Sequence, residues 1–485
     1  MPSRIPSLWL LLGGILLLRL VTMGIVPFAE TTEPRYAEMA RLMAVSGDWI
    51  TPWFSQTQPF WGKPPLAFWA EAISIHLLGN SEFAIRLPSW LATLATLYLV
   101  FRLAQQLYDT ATARRAALIY ATCALVYVIA GAVLTDPFLA LGTTWMMAGF
   151  LLNRAGAGTR WGYGFFLGMS IGLLAKGPLV LVLAGGATAP ALLYPALRQQ
   201  LRQLPWAGGL LLTSVLVLPW YVLAEQKTPG FLQYFLVGEH ILRFIDPGWS
   251  GDLYGSAHQR AHGTIWLYAL AATFPWSLLV LPHLLWRAGA GKLPPLLQTL
   301  RSDPRLGYLL GWTLFTPVFF TLAGNILWTY VLPAIPAFSI LAARSLSLRL
   351  PRLQGWSLPV PAAVLCGGIM VSLNPLLLNT EKPLVDYAEA VMPGAALAYL
   401  DTLPFSARYY SADRVLQVES EQLTEWLATR TEPALLAVRL RDRNRQQALA
   451  AAGYAPNAQS SRFMLYRIQP QPVAIGAWKP ASPDG

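Results

Sequence analysis

Long apolar blocks alternate with short polar breaks along most of the 485-residue chain. Blocks of that length predict helices that cross a hydrocarbon layer of about 30 Å. Eleven are read, at 8–28, 83–105, 115–133, 137–153, 161–176, 178–197, 206–224, 264–286, 306–323, 326–343 and 357–377. Breaks fall at Pro/Gly clusters and at charges, as expected where the backbone leaves a membrane helix. The pair 161–176 and 178–197, split by AKGP, also reads as one segment. The first block has no small-residue cleavage site and reads as a retained span. The pattern therefore predicts an all-α polytopic membrane protein.

Two stretches, 29–82 and 225–262, depart from the apolar pattern. Within them EPRYAEMARLMAV (33–45), PPLAFWAEAISIHLLG (64–79) and FLQYFLVGEHILRF (231–244) have apolar residues at helical spacing. They predict amphipathic helices lying along the membrane surface. From about residue 380 the pattern changes again. ARYYSA, ALLAVRL and RFMLYRI read as strands, and SEQLTEWLATR and RNRQQALAAAGY read as helices. The expectation is a membrane domain over 1–377 and a small extramembrane α/β domain over 378–485, with a disordered Pro-rich stretch at 469–485. No internal repeat is visible, which argues against an inverted-repeat transporter.

Composition agrees with this class. The chain is 55% hydrophobic and 12% charged, with mean hydropathy +0.45, whereas soluble domains carry roughly 25% charged residues. The net charge of +11 would suit nucleic acid, but its distribution fits topology instead. With the N-terminus inside, the inner connections collect Arg114, Arg115, Arg198, Arg202, Arg287, Arg305 and Arg344, with Asp109 and Asp303 as their acids. The positive-inside bias then puts 29–82, 225–262 and 378–485 outside. Cys123 and Cys366 lie in apolar blocks and read as small buried hydrophobes.

Ionisable groups at membrane depth are costly, so each is a candidate for function. Asp136, in VLTDPFLAL, reads either as an isolated functional carboxylate or as a helix N-cap. Glu33 reads as a dipole cap, or as a second carboxylate meeting Asp136 for general-base work or hydroxyl binding. Lys63, Lys176 and Arg243 are lone cations in apolar segments. Such groups either snorkel to headgroups or hold the phosphate of a lipid-linked substrate. His258 and His262 are four apart but lack a third ligand, so no metal is assigned to them. Arg19, inside the first block, pairs internally or snorkels. Trp328 and Tyr330 read as interfacial anchors.

TEPRYAEMARLMAVSGDWITP, FWGKPPLAFWAEA, RLPSWL, LTDPFLAL, GLLAKGPLVLVL, GEHILRF and TYVLPAIPA follow the order found in the ArnT-like, protein-mannosyltransferase-related bacterial glycosyltransferases. The chain resembles that family over about residues 8–345. The resemblance implies a GT-C fold in the inner membrane and a sugar moved from an undecaprenyl-phosphate carrier on the outer face. It implies lipid A or another envelope glycolipid as acceptor. A protein acceptor is the alternative, and transport of lipid or sugar a remote third. Carried over by motif, Lys63, Lys176, Arg243 and Tyr330 would contact the donor phosphate. Glu33 and Asp136 would be the catalytic acids, supported by Arg35, Glu38 and His240. Two departures stand out. Thr32-Glu33 replaces the family's Asp-Glu pair. Gly62 replaces the Glu that, in aminoarabinose transferases, holds a divalent metal with the His of the EH pair. No cofactor is therefore assigned, and an aminoarabinose donor is not implied.

Overall fold

The computed structural model describes residues 6–153, 160–246, 248–255, 259–292, 296–346 and 350–469. His258, and the tail expected to be disordered beyond Gln469, lie outside the described residues. The chain forms two compact units, Met1–Gly24 with Ala40–Cys366, and Ile25–Met39 with Gly367–Gly485.

The first unit is helical. It holds α1 (Pro6–Thr22), the end of α2 (Thr32–Ser46), α3 (Leu66–Leu78), α4 (Glu82–Leu107), α5 (Thr110–Thr122) and α6 (Ala124–Ile129). There follow α7 (Asp136–Leu152), α8 (Arg160–Lys176), α9 (Leu179–Thr188), α10 (Pro195–Arg202) and α11 (Trp206–Lys227). A π-helix, Gln233–Leu242, runs through α12 (Arg243–Ile245) towards α13 (Thr264–Ala272) and α14 (Ser277–Gly289). Next come α15 (Leu296–Ser302), α16 (Pro304–Thr321), the 3-10 turn Trp328–Ala334, α17 (Ile335–Ser345), α18 (Leu350–Trp356) and the first half of α19 (Pro359–Leu373).

Among the described residues, α4, α11 and the stretch Arg352–Leu373 are long and apolar enough to cross a membrane, and α13 with α14 is apolar enough only as a pair, bent by 108° at its break. Several expected continuous spans are broken. The 115–133 block divides at Cys123, where Ala124 N donates to Phe274 O at 2.8 Å instead of to its own helix. The 178–197 block gives way to a 3-10 turn, Ala189–Leu193, where Pro190 removes a donor. The 264–286 block bends at 273–276 around Pro275, and 326–343 opens as the 3-10 turn around Pro333. Cys123 is buried as expected, but Cys366 is exposed. In α19 only Val360 and Pro361 are buried, so Cys366 sits on a face that the protein does not cover.

α7 and α8 pack backbone to backbone. A Cβ on Gly142 would stand 2.7 Å from Gly168 O, and one on Gly168 would stand 2.6 Å from Gly142 O. Small residues let membrane helix backbones approach in this way. Gly168→Leu is therefore expected to cost about 1–3 kcal/mol by overpacking, measured as earlier thermal unfolding in detergent. Unchanged unfolding would mean that the two helices separate freely. Arg19 pairs internally: it is 8% exposed, and donates to Tyr127 O at 2.8 Å and Val128 O at 2.7 Å. These are carbonyls at the C-terminal end of α6, where helical pairing runs out; Val128 O also accepts from Gly131 N at 3.3 Å.

The second unit contains α20 (Lys382–Val391), β1 (Ala396–Leu400), α21 (Phe405–Tyr410), β2 (Leu416–Val418), α22 (Leu423–Ala428), β3 (Ala434–Arg439), α23 (Arg443–Ala451), β4 (Pro456–Gln459) and β5 (Phe463–Ile468). The sheet order is β2-β1-β3-β5-β4. β1 runs parallel to β2 and β3, while β5 is antiparallel to β3 and β4. Alternate residues enter separate cores: Leu397, Tyr399, Leu435 and Leu465 on one face, Ala398, Leu400, Leu436 and Tyr466 on the other. Two covered faces explain the nearly unbroken apolar run in β3. The ARYYSA segment, expected as a strand, is the helix α21. Pro404, extended at its N-cap (φ −66, ψ 142), starts it, and Tyr409 and Tyr410 pack on Phe28 rather than on strand neighbours.

Candidate active site

Asp136 and Lys176 owe their places to helix ends. Asp136 opens α7, with Pro137 behind it in the first turn. Lys176 closes α8, where Gly177 adopts φ +69, the left-handed geometry that terminates a helix. Pro178 then starts α9. A carboxylate at a helix N-terminus and an ammonium at a C-terminus both suit the backbone dipoles. The two meet at 2.8 Å, with both side chains 8% exposed. Asp136 is thus not an N-cap; Thr135 holds that position without a side-chain bond. The Lys176 ammonium lies 5.3 Å from the Tyr330 ring centroid, within cation–π range. Tyr330 also packs on Phe320 with centroids 4.6 Å apart.

A second ionic cluster stands beside the first. Lys63, stiffened by Pro64 and Pro65, donates to Glu239 Oε2 at 2.9 Å and to Gly62 O at 2.5 Å. Arg243 donates to Glu239 Oε1 at 2.9 Å and pairs with Asp252 Oδ2 at 3.1 Å. Burial pushes Glu239 up, but Lys63 and Arg243 prevail and hold it below the usual carboxylate range. Burial weakens the Arg243 cation, yet Glu239 and Asp252 hold it above its ordinary value. Arg243 Nε is buried without a hydrogen-bond partner among the described residues. Lys63, Lys176, Arg243, Tyr330, Glu239 and His240 line a cavity of about 410 Å³ whose remaining walls include Leu179, Val182, Phe244 and Phe319.

Sequence reading placed Glu239 only as a neighbour of His240 and passed over Asp252. The i, i+4 spacing of Glu239 and Arg243 was the available signal; Lys63 is 176 residues away. The segment 231–244 is a π-helix over Gln233–Leu242 rather than an ordinary amphipathic helix, and it carries Glu239 and His240 together. Such wide turns recur at functional sites.

His240 fastens this π-helix to the end of α8. Its Nδ1 lies 2.7 Å from Phe235 O and its Nε2 3.0 Å from Lys176 O. Burial draws His240 below its ordinary pKa, against the two carbonyls, which favour the cation. Both nitrogens address backbone oxygens, so neither offers a lone pair to the cavity. Among the described residues no three His, Cys, Asp or Glu side chains stand together as metal ligands, and Gly62 supplies no carboxylate beside His240. The residues present do not fit a divalent metal there. His262 Nδ1 faces Thr321 O at 3.0 Å.

Lys63, Lys176, Asp136, Arg243, Tyr330 and His240 thus converge within the first unit. Glu33, Arg35 and Glu38 stand in the second. Glu33 is half-buried in the first turn of α2. Arg35 lies over the rings of Tyr36 at 5.2 Å and Phe405 at 5.7 Å, and Glu38 is buried.

Residues 6–235 match the family described as dolichyl-phosphate-mannose-protein mannosyltransferase. The undecaprenyl phosphate-alpha-4-amino-4-deoxy-L-arabinose arabinosyl transferase of Yersinia pestis is 31% identical over 327 residues, covering 65% of this chain and 54% of that protein. The protein of the same description from Edwardsiella ictaluri is 32% identical over 324 residues, with 65% and 54% covered. The chain therefore spans about half the length of the curated relatives it matches. The crystal structure of ArnT from Cupriavidus metallidurans bound to undecaprenyl phosphate is similar with TM-score 0.77 at 17% identity, over 98% of this chain and 99% of that one. At that identity the likeness concerns the fold.

Proposed function

We propose that this chain is an ArnT-like glycosyltransferase of the GT-C fold and that it transfers a sugar from undecaprenyl phosphate to lipid A or another envelope glycolipid. The observation that carries the proposal is the cavity in which three cations and Tyr330 converge while Arg243 Nε lacks a hydrogen-bond partner among the described residues. A buried donor without an acceptor is costly, and a phosphate oxygen would satisfy it. The apolar walls suit the first isoprene units.

In the proposed reaction the acceptor oxygen attacks the anomeric carbon. The bond from that carbon to the phosphate oxygen breaks, and the electron pair leaves with undecaprenyl phosphate. Lys63, Lys176, Arg243 and Tyr330 offset the charge growing on the departing oxygen. The proton of the acceptor hydroxyl goes to Glu33. Asp136, already paired with Lys176, is the poorer base and aims that ammonium at the cavity. Arg35, Glu38 and His240 fix the positions of α2 and the π-helix.

The topology proposed with this function has eleven spans, a cytoplasmic N-terminus and an inner-membrane location. A membrane domain over 1–377 carries periplasmic loops 29–82 and 225–262, and 378–485 is periplasmic. The charge asymmetry of the connecting segments supports it. The description of the matched family, which names a protein acceptor, favours protein O-glycosylation as the second reading. Mass spectrometry of lipid A, envelope glycolipids and glycoproteins from cells with and without the gene separates the two. A sugar-sized mass on lipid A that disappears in the deletion and in Glu33→Gln is the expected outcome. Loss from a glycoprotein alone would transfer the proposal to the second reading.

A further inference from the structure

Residues 25–39 fold with the C-terminal domain rather than with the helical unit, and α21 accounts for most of the attachment. Phe28 N donates to the Tyr410 hydroxyl at 2.7 Å, and its ring stands edge-on to Tyr409 at 5.0 Å. Glu30 is held at both ends: its N donates to Asn379 O at 2.8 Å, and its Oε1 accepts from Ser406 N at 2.5 Å. Arg35 lies over Phe405. Phe405, Ser406, Tyr409 and Tyr410 therefore grip the chain on both sides of Glu33.

Ser406 also faces the other way, its Oγ accepting from Glu381 N at 3.0 Å. The Glu381 side chain is completely buried, and neither carboxylate oxygen makes a hydrogen bond of ordinary geometry among the described residues. Around it stand Glu30 from the gripped segment, Tyr399 from β1, and Ser460 and Arg462 from the turn before β5. Arg462 Nε remains 3.8 Å from Oε1 on a side chain one-third exposed. Burial pushes the Glu381 carboxyl up to about 7; Ser460 and Arg462 oppose the shift, while the Glu30 carboxylate reinforces it.

We propose that Glu30 and Glu381 are a pair of positioning residues through which the C-terminal domain aims Glu33. While Glu381 carries its proton, α21 holds residues 28–35. Once it ionises, two carboxylates repel one another across Ser406 and the grip slackens. The inference rests on Glu33 being the base of the proposed transfer. Because folding raises the Glu381 pKa, its contribution is present in acid and is lost as pH rises through about 7.

The test uses the full-length protein in detergent, by hydrogen exchange corrected for intrinsic rates. The amides of Phe28 and Glu30 are direct reporters, since both are donors in the grip. Their protection is expected to fall about tenfold between about pH 6 and pH 8 in the wild type, and to stay level in Glu381→Gln and in Glu30→Gln. In parallel, kcat should fall in the wild type only, with KM for the lipid donor unchanged. Level protection in the wild type would overturn the proposal. So would an identical decline in Glu381→Gln, or a decline in protection that kcat does not follow. Glu33→Gln separates the two readings: an active variant would remove Glu33 as base, while the exchange profile tests the grip independently.

Discussion

Replacing Arg243 by alanine is expected to lower kcat of the proposed transfer by about 10²–10³-fold, the loss typical of one donor that meets charge developing on a leaving oxygen. The guanidinium is held by Glu239 and Asp252, so its donors are fixed before substrate arrives and need no reorganisation at the transition state. KM for the donor should rise as well, because in the proposed reaction the same group meets the phosphate of the ground state. Lys63→Ala combined with Arg243→Ala should cost less than the sum of the two, since both cations share the Glu239 carboxylate. Single-turnover transfer from an undecaprenyl-phosphate sugar measures all three variants. A loss below about threefold for Arg243→Ala would remove it from the reacting centre.

The second large effect belongs to the Asp136–Lys176 pair. Asp136→Asn leaves an ammonium that is only 8% exposed without its counter-charge. Uncompensated buried charges cost about 3–5 kcal/mol, and the Tyr330 face offsets only part of that. Thermal unfolding in detergent should therefore begin well below that of the parent protein. Adding Lys176→Met should recover much of the lost stability, because it removes the uncompensated buried charge. Activity should not return, since the proposed phosphate site has lost a cation. An Asp136→Asn protein as stable as the parent would show that the pair contributes little to the fold.

The two effects differ in how far they were legible in the sequence. Lone cations in apolar segments marked Lys63, Lys176 and Arg243, and an isolated carboxylate marked Asp136. Their partners were not marked. Asp136 and Lys176 are 40 positions apart, and Lys63 meets Glu239 across a longer interval, so no local spacing encodes either contact. The apolar blocks located most helices but not their interruptions. At Cys123 a tertiary hydrogen bond to Phe274 O replaces the local one, and no periodicity reports that. β-Propensity suggested a strand at ARYYSA, where Pro404 and the packing of two tyrosines on Phe28 impose a helix. The membership of residues 25–39 in the C-terminal unit was also hidden, because the contacts span almost the whole chain; Ser406 and Glu30 are 376 positions apart.

The internal pairing of Arg19 bears on how the protein is made. An arginine in an inserting helix costs up to about 2.5–3.5 kcal/mol at the translocon when it is central and less towards the last turn, where Arg19 stands, and the carbonyls that relieve it belong to Tyr127 and Val128. The nascent chain must therefore extend by more than one hundred residues, through α6, before the first hydrophobic segment can shed that penalty to protein rather than to water or headgroups. Until then α1 is a poor resident of lipid on its own. Early assembly is consequently a joint event, in which the first and sixth helices enter the bilayer phase as partners and not in order of synthesis.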